Sequence, residues 1–336
     1  MTKTPTVSIV IPVYNAAPWL SLVLDSLAAQ TMQDFEVVAV NDGSSDDSLR
    51  ILQARNWNKL RIVDQQNSGQ SAAINRGVSE SRGRYIKLVD HDDWINPEHL
   101  EAQLQSLTGR LSCVSACQWG YFRDNPENVI PRPEHCNRDY DDPLEWIVDC
   151  LTRDEGMMGG WKWLIPRELW ERSGGYDARI GLNNDFYGST AILLQAQGVR
   201  FAAGAVYGYR KAIRGALSVV RSRGAFESAM LASRLCRDLL LERESSARIR
   251  SICADRFQRW TFDMYPEYPD LVGEAEQAIQ ELGGSALEFP AGLVGRNLAQ
   301  LVGWKAVRSL QRIARRYGWS GIQRIKQGLR EQALEQ

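Results

Sequence analysis

Asp90-His91-Asp92-Asp93 places three carboxylates within four residues. Such a cluster is electrostatically costly unless a positive charge sits among them. A hard divalent cation with oxygen ligands suits it best. Magnesium or manganese takes one or two carboxylates and completes its shell with water and substrate phosphate, so the cluster implies a phosphorylated partner. The plainer reading is an acidic turn capping the helix that starts near Pro97.

Two further clusters carry acid groups. Asn41-Asp42-Gly43-Ser44-Ser45-Asp46 sets a carboxylate directly after a hydrophobic run and before a glycine turn. There Asp42 can accept hydrogen bonds from a base or a ribose, or Ser44 and Ser45 merely cap a helix. Gly174-Gly175-Tyr176-Asp177 is followed by Asn183-Asn184-Asp185. Asp185 lies far along the chain from Asp90 and can act with it only through the fold; taken alone, it reads as a helix cap. The chain has neither G-x-G-x-x-G nor G-x-x-x-x-G-K-[ST], which argues against a dinucleotide enzyme and a P-loop NTPase.

Positioning these residues requires a sheet. Thr6–Val13, Phe35–Val40, Leu60–Val63 and Arg84–Val89 are short apolar runs, as expected of parallel strands buried on both faces. Between them Trp19, Leu20, Val23, Leu24 and Leu27 repeat at helical spacing, and 49–54 and 70–80 also read as helices. Alternation of this kind predicts an α/β doubly wound, mainly parallel sheet. Ligands of such sheets lie beyond the carboxyl ends of the strands. Tyr14-Asn15, Asn41-Asp42 and Asp90–Asp93 all fall at those ends and should converge on one edge. From 111 to 215 the pattern is irregular and rich in tryptophan; from about 225 it is mostly helical.

The ordered set resembles glycosyltransferase family 2 over roughly residues 5–215. Its pieces are Pro12-Val-Tyr14-Asn15, Asn41-Asp42-Gly43-Ser44, Asn67-x-Gly69-x-Ser71-x-Ala73-x-Asn75-x-Gly77, Tyr85-Ile86-x-Leu88-x-Asp90-x-Asp92-Asp93, Gly174-Gly175-Tyr176-Asp177 and Asn184-Asp185. The resemblance implies a GT-A fold and inverting, metal-dependent, hexosyltransferase-like transfer from a nucleotide-sugar, a UDP-sugar by the family's commonest usage. It implies donor contacts at Pro12, Tyr14, Asn15, Asp42, Asn67, Gly69, Asn75, Asp90, His91 and Arg210. Asp92, with Asp90 and Asp93, would hold Mn2+ or Mg2+, and Asp185 would be the base. Acceptor contacts are expected at Gly160, Trp161 and Asn184, with Trp161 stacking on a sugar face or, in the competing reading, packing in the core. The sequence departs from the family at Asn41 and Asn184, where an acid is usual, and at Ile74, where an arginine is usual.

Two other functions were weighed. A nucleotidyltransferase that makes the donor is disfavoured, because no glycine-rich loop followed by Arg and Lys stands near the N-terminus. A catalytically inactive nucleotide-sugar-binding protein of the same fold remains the alternative.

Composition narrows the partners. Forty Lys+Arg against 41 Asp+Glu leave a formal charge of −1, so a nucleic-acid partner is not expected. The six cysteines form no C-x-x-C pair and are expected to be buried, reduced thiols. With no apolar run of membrane-spanning length and no signal-type N-terminus, the expected location is cytoplasmic, in polysaccharide biosynthesis on a cell-surface glycan or lipid-linked acceptor. The expected division is a nucleotide-sugar-binding half (1–110), an acceptor-binding half with the base (111–220) and a helical C-terminal region (221–336). Residues 291–336 hold nine Lys/Arg and two Glu. A helix there presents Lys305, Arg308, Arg312, Arg315 and Arg316 beside an apolar face. It predicts peripheral contact with an anionic membrane through 294–330, or docking on the acidic catalytic domain with the basic face in water.

Overall fold

A computed structural model describes residues 4–154, 156–211 and 220–316. The chain divides into two compact units, at Ile252/Cys253.

The first unit is built on one eight-stranded sheet in the order β3-β2-β1-β4-β7-β6-β8-β5. β1 (Val7–Val13), β2 (Phe35–Asp42), β3 (Leu60–Gln65) and β4 (Tyr85–Leu88) are the strands expected from the apolar runs. β1 pairs in parallel with β2 and with β4, and β2 with β3. Every residue of β1, β2 and β4 is buried, because helices cover both faces. α1 (Leu20–Ala28) seats Leu20, Val23, Leu24 and Leu27, the stripe its spacing predicts. α3 (Gln70–Glu80) presses so closely on the sheet that a Cβ on Gly77 would stand 2.3 Å from Val10 Cγ1.

The irregular stretch completes the same sheet. It contributes β6 (Cys113–Phe122), β7 (Trp163–Pro166) and β8 (Gly198–Arg210), while β5 (Trp94–Ile95) forms the edge. β7 runs antiparallel between β4 and β6, β8 is parallel to β6, and β5 is antiparallel to β8. The β6–β8 register jumps from Cys117↔Ala202 to Gln118↔Val206, so Ala203, Gly204 and Ala205 form an excursion in β8. The sheet is therefore mixed, with the parallel half at the N-terminal end, and the doubly wound expectation holds. α7 (Asn184–Leu193) starts at the Asn183-Asn184-Asp185 cluster. α8 (Arg223–Arg243) also belongs to the first unit; its Ser228 accepts from Gly181 N–H and donates to the Leu182 carbonyl. All six cysteines are free and buried, as expected.

The second unit contains the end of α9 (Ala247–Met264), then α10 (Pro269–Glu281), α11 (Leu293–Val302) and α12 (Trp304–Arg316). Its core gathers Phe262, Phe289 and Val307, with Trp304 packed against them. The described cations of α12 are paired. Lys305 pairs with Glu276 at 2.7 Å, Arg308 with Asp263 at 3.5 Å, and Arg312 with Glu267. Those three cations meet acids of their own unit; the side chains of Arg315 and Arg316, and residues 317–330, lie outside the described residues. Among the described residues no helix is long and apolar enough to cross a membrane.

Candidate active site

The loops that follow β1 and β2 are laced together. Asn15, in the left-handed region at φ 49°, accepts from Ser45 N–H at 2.8 Å, and its own N–H donates to Ser44 Oγ at 3.1 Å. Asp46 accepts from Ala17 N–H at 3.0 Å. Tyr14 is left exposed beside this junction. The Pro12 carbonyl meets His91 Nδ1 at 3.0 Å, so His91 ties the third strand end to the first.

Asp42 is the last residue of β2 and is buried. Oδ1 accepts from Gln65 Nε2 and from Ser68 N–H, each at 2.8 Å, and Oδ2 from Gly69 N–H at 2.9 Å. The carboxylate thus fixes the 65–69 loop, on which Asn67 is exposed and Gly69 adopts φ 87°. Gly43 must be small for the same reason, as a Cβ there would stand 2.7 Å from Asn67 N. The neighbouring departure has a physical basis. Asn41 donates through Nδ2 to Asp64 Oδ1 at 2.7 Å, which an ionised Asp could not do.

The acid cluster after β4 resolves into separate parts. Asp93 is buried; Tyr207 O–H donates to its Oδ2 at 2.8 Å and Arg210 N–H to its Oδ1 at 2.7 Å. Asp93, expected among the metal ligands, thus has each carboxylate oxygen holding one donor from β8. Tyr207 O–H also accepts from Asp90 N–H at 3.1 Å, and Arg210 Nε donates to the Asp92 carbonyl at 2.8 Å. Arg210 additionally donates to the Arg123 carbonyl and covers the Phe122 ring at 4.4 Å. The last turn of β8 therefore braces the whole Asp90–Asp93 segment.

Asp90 and Asp185 share one electrostatic site. Burial raises the Asp90 carboxyl well above its ordinary range, and the charges of Asp185 and Asp92 add to the effect. Burial also raises Asp185, against hydrogen bonds from Tyr176 and from Gly160 N–H that favour its anion. Tyr176 O–H donates to Asp185 Oδ1 at 2.9 Å. Gln70 spans the gap: its Nε2 donates to Asp90 Oδ1 at 3.2 Å, and its Oε1 accepts from Asn184 Nδ2 at 3.2 Å. Asn184 Nδ2 also reaches Ser71 Oγ at 3.3 Å, and its Oδ1 accepts Asp185 N–H at 2.9 Å. The second departure is thus explained as the first is, by an amide donor where a carboxylate would only accept.

Gly160 and Trp161 meet different fates. A Cβ on Gly160 would lie 2.1 Å from Tyr176 Oη and 2.9 Å from Asp185 Oδ1, so only glycine leaves that carboxylate room. Of the two readings of Trp161 the structure has the core one: the ring is buried and stacked on Tyr207 at 4.4 Å between ring centroids. Its carbonyl accepts from buried Lys87 Nζ at 2.6 Å. Trp163 and Trp170 are buried too. Asn75, expected at the donor, grips the main chain of Tyr176, donating to its carbonyl at 2.6 Å and accepting its N–H at 3.0 Å. Gln70, Tyr176 and Tyr207 were missed. Tyr176 stood in view within Gly-Gly-Tyr-Asp, and Gln70 occupied an unassigned place between Gly69 and Ser71.

Among the described residues no group of three His, Cys, Asp or Glu side chains forms a ready cage for a metal. The donor set suits a different kind of site. Asp92, aided by Asp90, offers one or two hard oxygens whose mutual repulsion calls for positive charge. That is the stoichiometry of a magnesium or manganese ion that takes its other ligands from water and phosphate.

A mixed α/β sheet with an Asp-x-Asp turn at the end of β4 and a helix-borne carboxylate coupled to it defines a GT-A type domain. The family description "Glycosyl transferase family 2" matches residues 8–169, and over that segment the chain is similar to the family. It is 38% identical over 166 residues to the uncharacterized glycosyltransferase YibD of Escherichia coli (strain K12), covering 49% of this chain and 44% of that one. It is 39% identical over 130 residues to the chondroitin synthase of Escherichia coli, covering 38% and 19%. The chain spans about half the length of the first curated relatives it matches. In fold it is similar to S. aureus TarS 1–349 in complex with UDP-GlcNAc, with a TM-score of 0.68, 18% identity and 92% of each chain covered.

Proposed function

We propose that the first unit is an inverting glycosyltransferase that moves a sugar from a UDP-sugar to a hydroxyl of a cell-surface glycan or a lipid-linked precursor at the cytoplasmic face of a membrane. The observation that carries this reading is the coupling of Asp90 to Asp185 across Gln70 and Asn184. It puts a diphosphate-side acid turn and a solitary base in one site.

The nucleoside half of the donor is assigned to Tyr14, Asp42 and the 65–69 loop. Arg210, anchored on Asp92 and Asp93, supplies fixed positive charge toward the diphosphate. Asp92 and Asp90 would hold Mn2+ or Mg2+, which when bound neutralises charge on the departing diphosphate. Asp185 takes the proton of the acceptor hydroxyl as the new bond forms, a contribution of about 10²–10⁴-fold. Its raised carboxyl suits that task better than an ordinary aspartate, because a general base works best with a pKa near the working pH. Tyr176 O–H and Gly160 N–H keep it ionised and aimed. Attack from the face opposite the diphosphate inverts the anomeric carbon.

A thermal-shift panel of nucleotide-sugars with manganese tests the donor assignment, since a ligand bound only by the folded state raises its melting temperature. UDP-sugars should shift it and no shift with any nucleotide-sugar overturns the reading. Donor hydrolysis separates the enzyme from an inactive binding protein. Asp185→Asn should nearly abolish turnover while donor affinity stays close to wild type; a parallel collapse of affinity removes Asp185 as base.

A further inference from the structure

The turn that offers Gly160 N–H to Asp185 is connected to a buried lysine. Lys87 lies in β4, three residues before Asp90, and is wholly buried. Its Nζ donates to the Trp161 carbonyl at 2.6 Å. That carbonyl shares a peptide unit with Lys162 N–H, which donates to the Gly159 carbonyl at 3.0 Å. The Gly159 carbonyl shares a second unit with Gly160 N–H, the donor to Asp185. A chain of hydrogen bonds therefore runs from the Lys87 ammonium through two peptide units to the Asp185 carboxylate. Each unit turns its carbonyl toward the cation and its N–H toward the anion, so the two peptide dipoles add. Hydrogen bonds in such a chain polarise one another, and a water-poor interior strengthens them.

A buried ammonium without an acid beside it is costly. Among the described residues Lys87 has no carboxylate partner. The titratable groups around it are Cys117 of β6, His99 of α4 (His99–Ser106) and Tyr207 of β8, whose ring centroid lies 5.7 Å from Nζ. Burial raises the Cys117 thiol and the Tyr207 phenol and holds His99 well below its ordinary range, so all three are neutral at neutral pH. We infer that Lys87 is a positioning residue for the transfer reaction, its ammonium holding and polarising Gly160 N–H against Asp185 through the two peptide units of the 159–162 turn. The inference rests on the reading of Asp185 as the base and adds a residue to it. The other grips on this turn lie outside the chain of bonds. Gln103 Nε2, from α4, donates to the Lys162 carbonyl at 3.1 Å, and Lys162 Nζ pairs with buried Glu134 Oε2 at 2.7 Å. Gln103→Leu therefore loosens the turn without breaking the chain and serves as the control.

The test follows the Gly160 amide proton by NMR in the full chain and, separately, hydrolysis of the UDP-sugar that gives the largest thermal shift. Burial lowers the Lys87 ammonium to about 8, so the chain of bonds weakens as the pH passes that value. The Gly160 resonance should move upfield across that step in the wild type and in Gln103→Leu. In Lys87→Met it should start upfield and stay there. At neutral pH Lys87→Met should lose about threefold or more in kcat with donor KM unchanged, a small share of the ~10²–10⁴-fold that a base contributes. Gln103→Leu should keep the wild-type kcat. Lys87→Gln retains a neutral donor and should fall between wild type and Lys87→Met, because a charge-assisted bond is about twice as strong. It carries the test if Lys87→Met shows no cooperative melting. A Gly160 resonance that does not follow Lys87, or a kcat that falls equally in Gln103→Leu, overturns the inference alone. Turnover retained by Asp185→Asn overturns the proposed base and this inference with it.

Discussion

The phenol of Tyr176 donates to Oδ1 of Asp185 at 2.9 Å, while the main chain of Tyr176 is itself held on both sides by the amide of Asn75. The Asp185 carboxylate is thus oriented by a residue from the Gly-Gly-Tyr-Asp turn, which is in turn fixed by α3. Tyr176→Phe removes one of the bonds that favour the ionised form of Asp185, whose carboxyl burial already raises. Its pKa should rise further. The acid limb of the kcat/KM profile should therefore move to higher pH, with donor KM nearly unchanged. An unshifted limb would separate Tyr176 from the base.

Asp92→Ala should weaken donor binding only where a divalent ion contributes to it. Titration calorimetry with manganese should show affinity falling by tenfold or more, by analogy with the ~10–100-fold cost of disturbing a metal site. In chelator the wild type and the variant should bind alike.

Asp42→Ala strips three donors, Gln65 Nε2, Ser68 N–H and Gly69 N–H, of their shared acceptor. Buried donors left without a partner cost about 1–3 kcal/mol, more where the lost acceptor is charged. Both the urea midpoint and donor affinity should drop, because the loop that lines the nucleoside end loses its anchor. A variant that loses donor affinity at wild-type stability would show that Asp42 acts on the ligand alone.

Lys87 gives a stability signal with a defined sign. Burial lowers its ammonium from 10.5 to about 8. Between those values the unfolded chain holds a proton that the native state has released. Stability therefore rises with pH across about 8 to 10.5, and the cost of the buried charge is present in full below that window. Urea unfolding of wild type and Lys87→Met over this range should show the rise in the wild type and its loss in the variant.

The first strands and the acid turn were legible because each is a local pattern. An apolar run such as Ile9-Val10-Ile11 can serve only a strand covered on both sides, and Asp90 and Asp92 announce themselves by mutual repulsion. What escaped depends on register. β8 mixes Arg200, Gly204, Tyr207 and Arg210, so nothing local marks Tyr207 as the brace of Asp90 and Asp93. Trp161 read equally as a cleft or a core residue, because the ring of Tyr207 that lies against it comes from a strand some 46 residues on. The cations of α12 suggested a basic outer face, whereas Lys305, Arg308 and Arg312 find Glu276 on α10, Asp263 on α9 and Glu267 in the turn between them, an approach the sequence does not encode locally.

The excursion at Ala203–Ala205 sets the phase of everything after it in β8. Side chains alternate faces along a strand, so one residue fewer there would put Gly208 opposite Trp119 in place of Tyr207 and leave Asp93 without its phenol. Two residues fewer would bring Tyr209, again a phenol, to that place. Loop tips ordinarily tolerate any change of length, but this one is constrained to even steps, and a frame slip on the surface would be felt at the centre of the site.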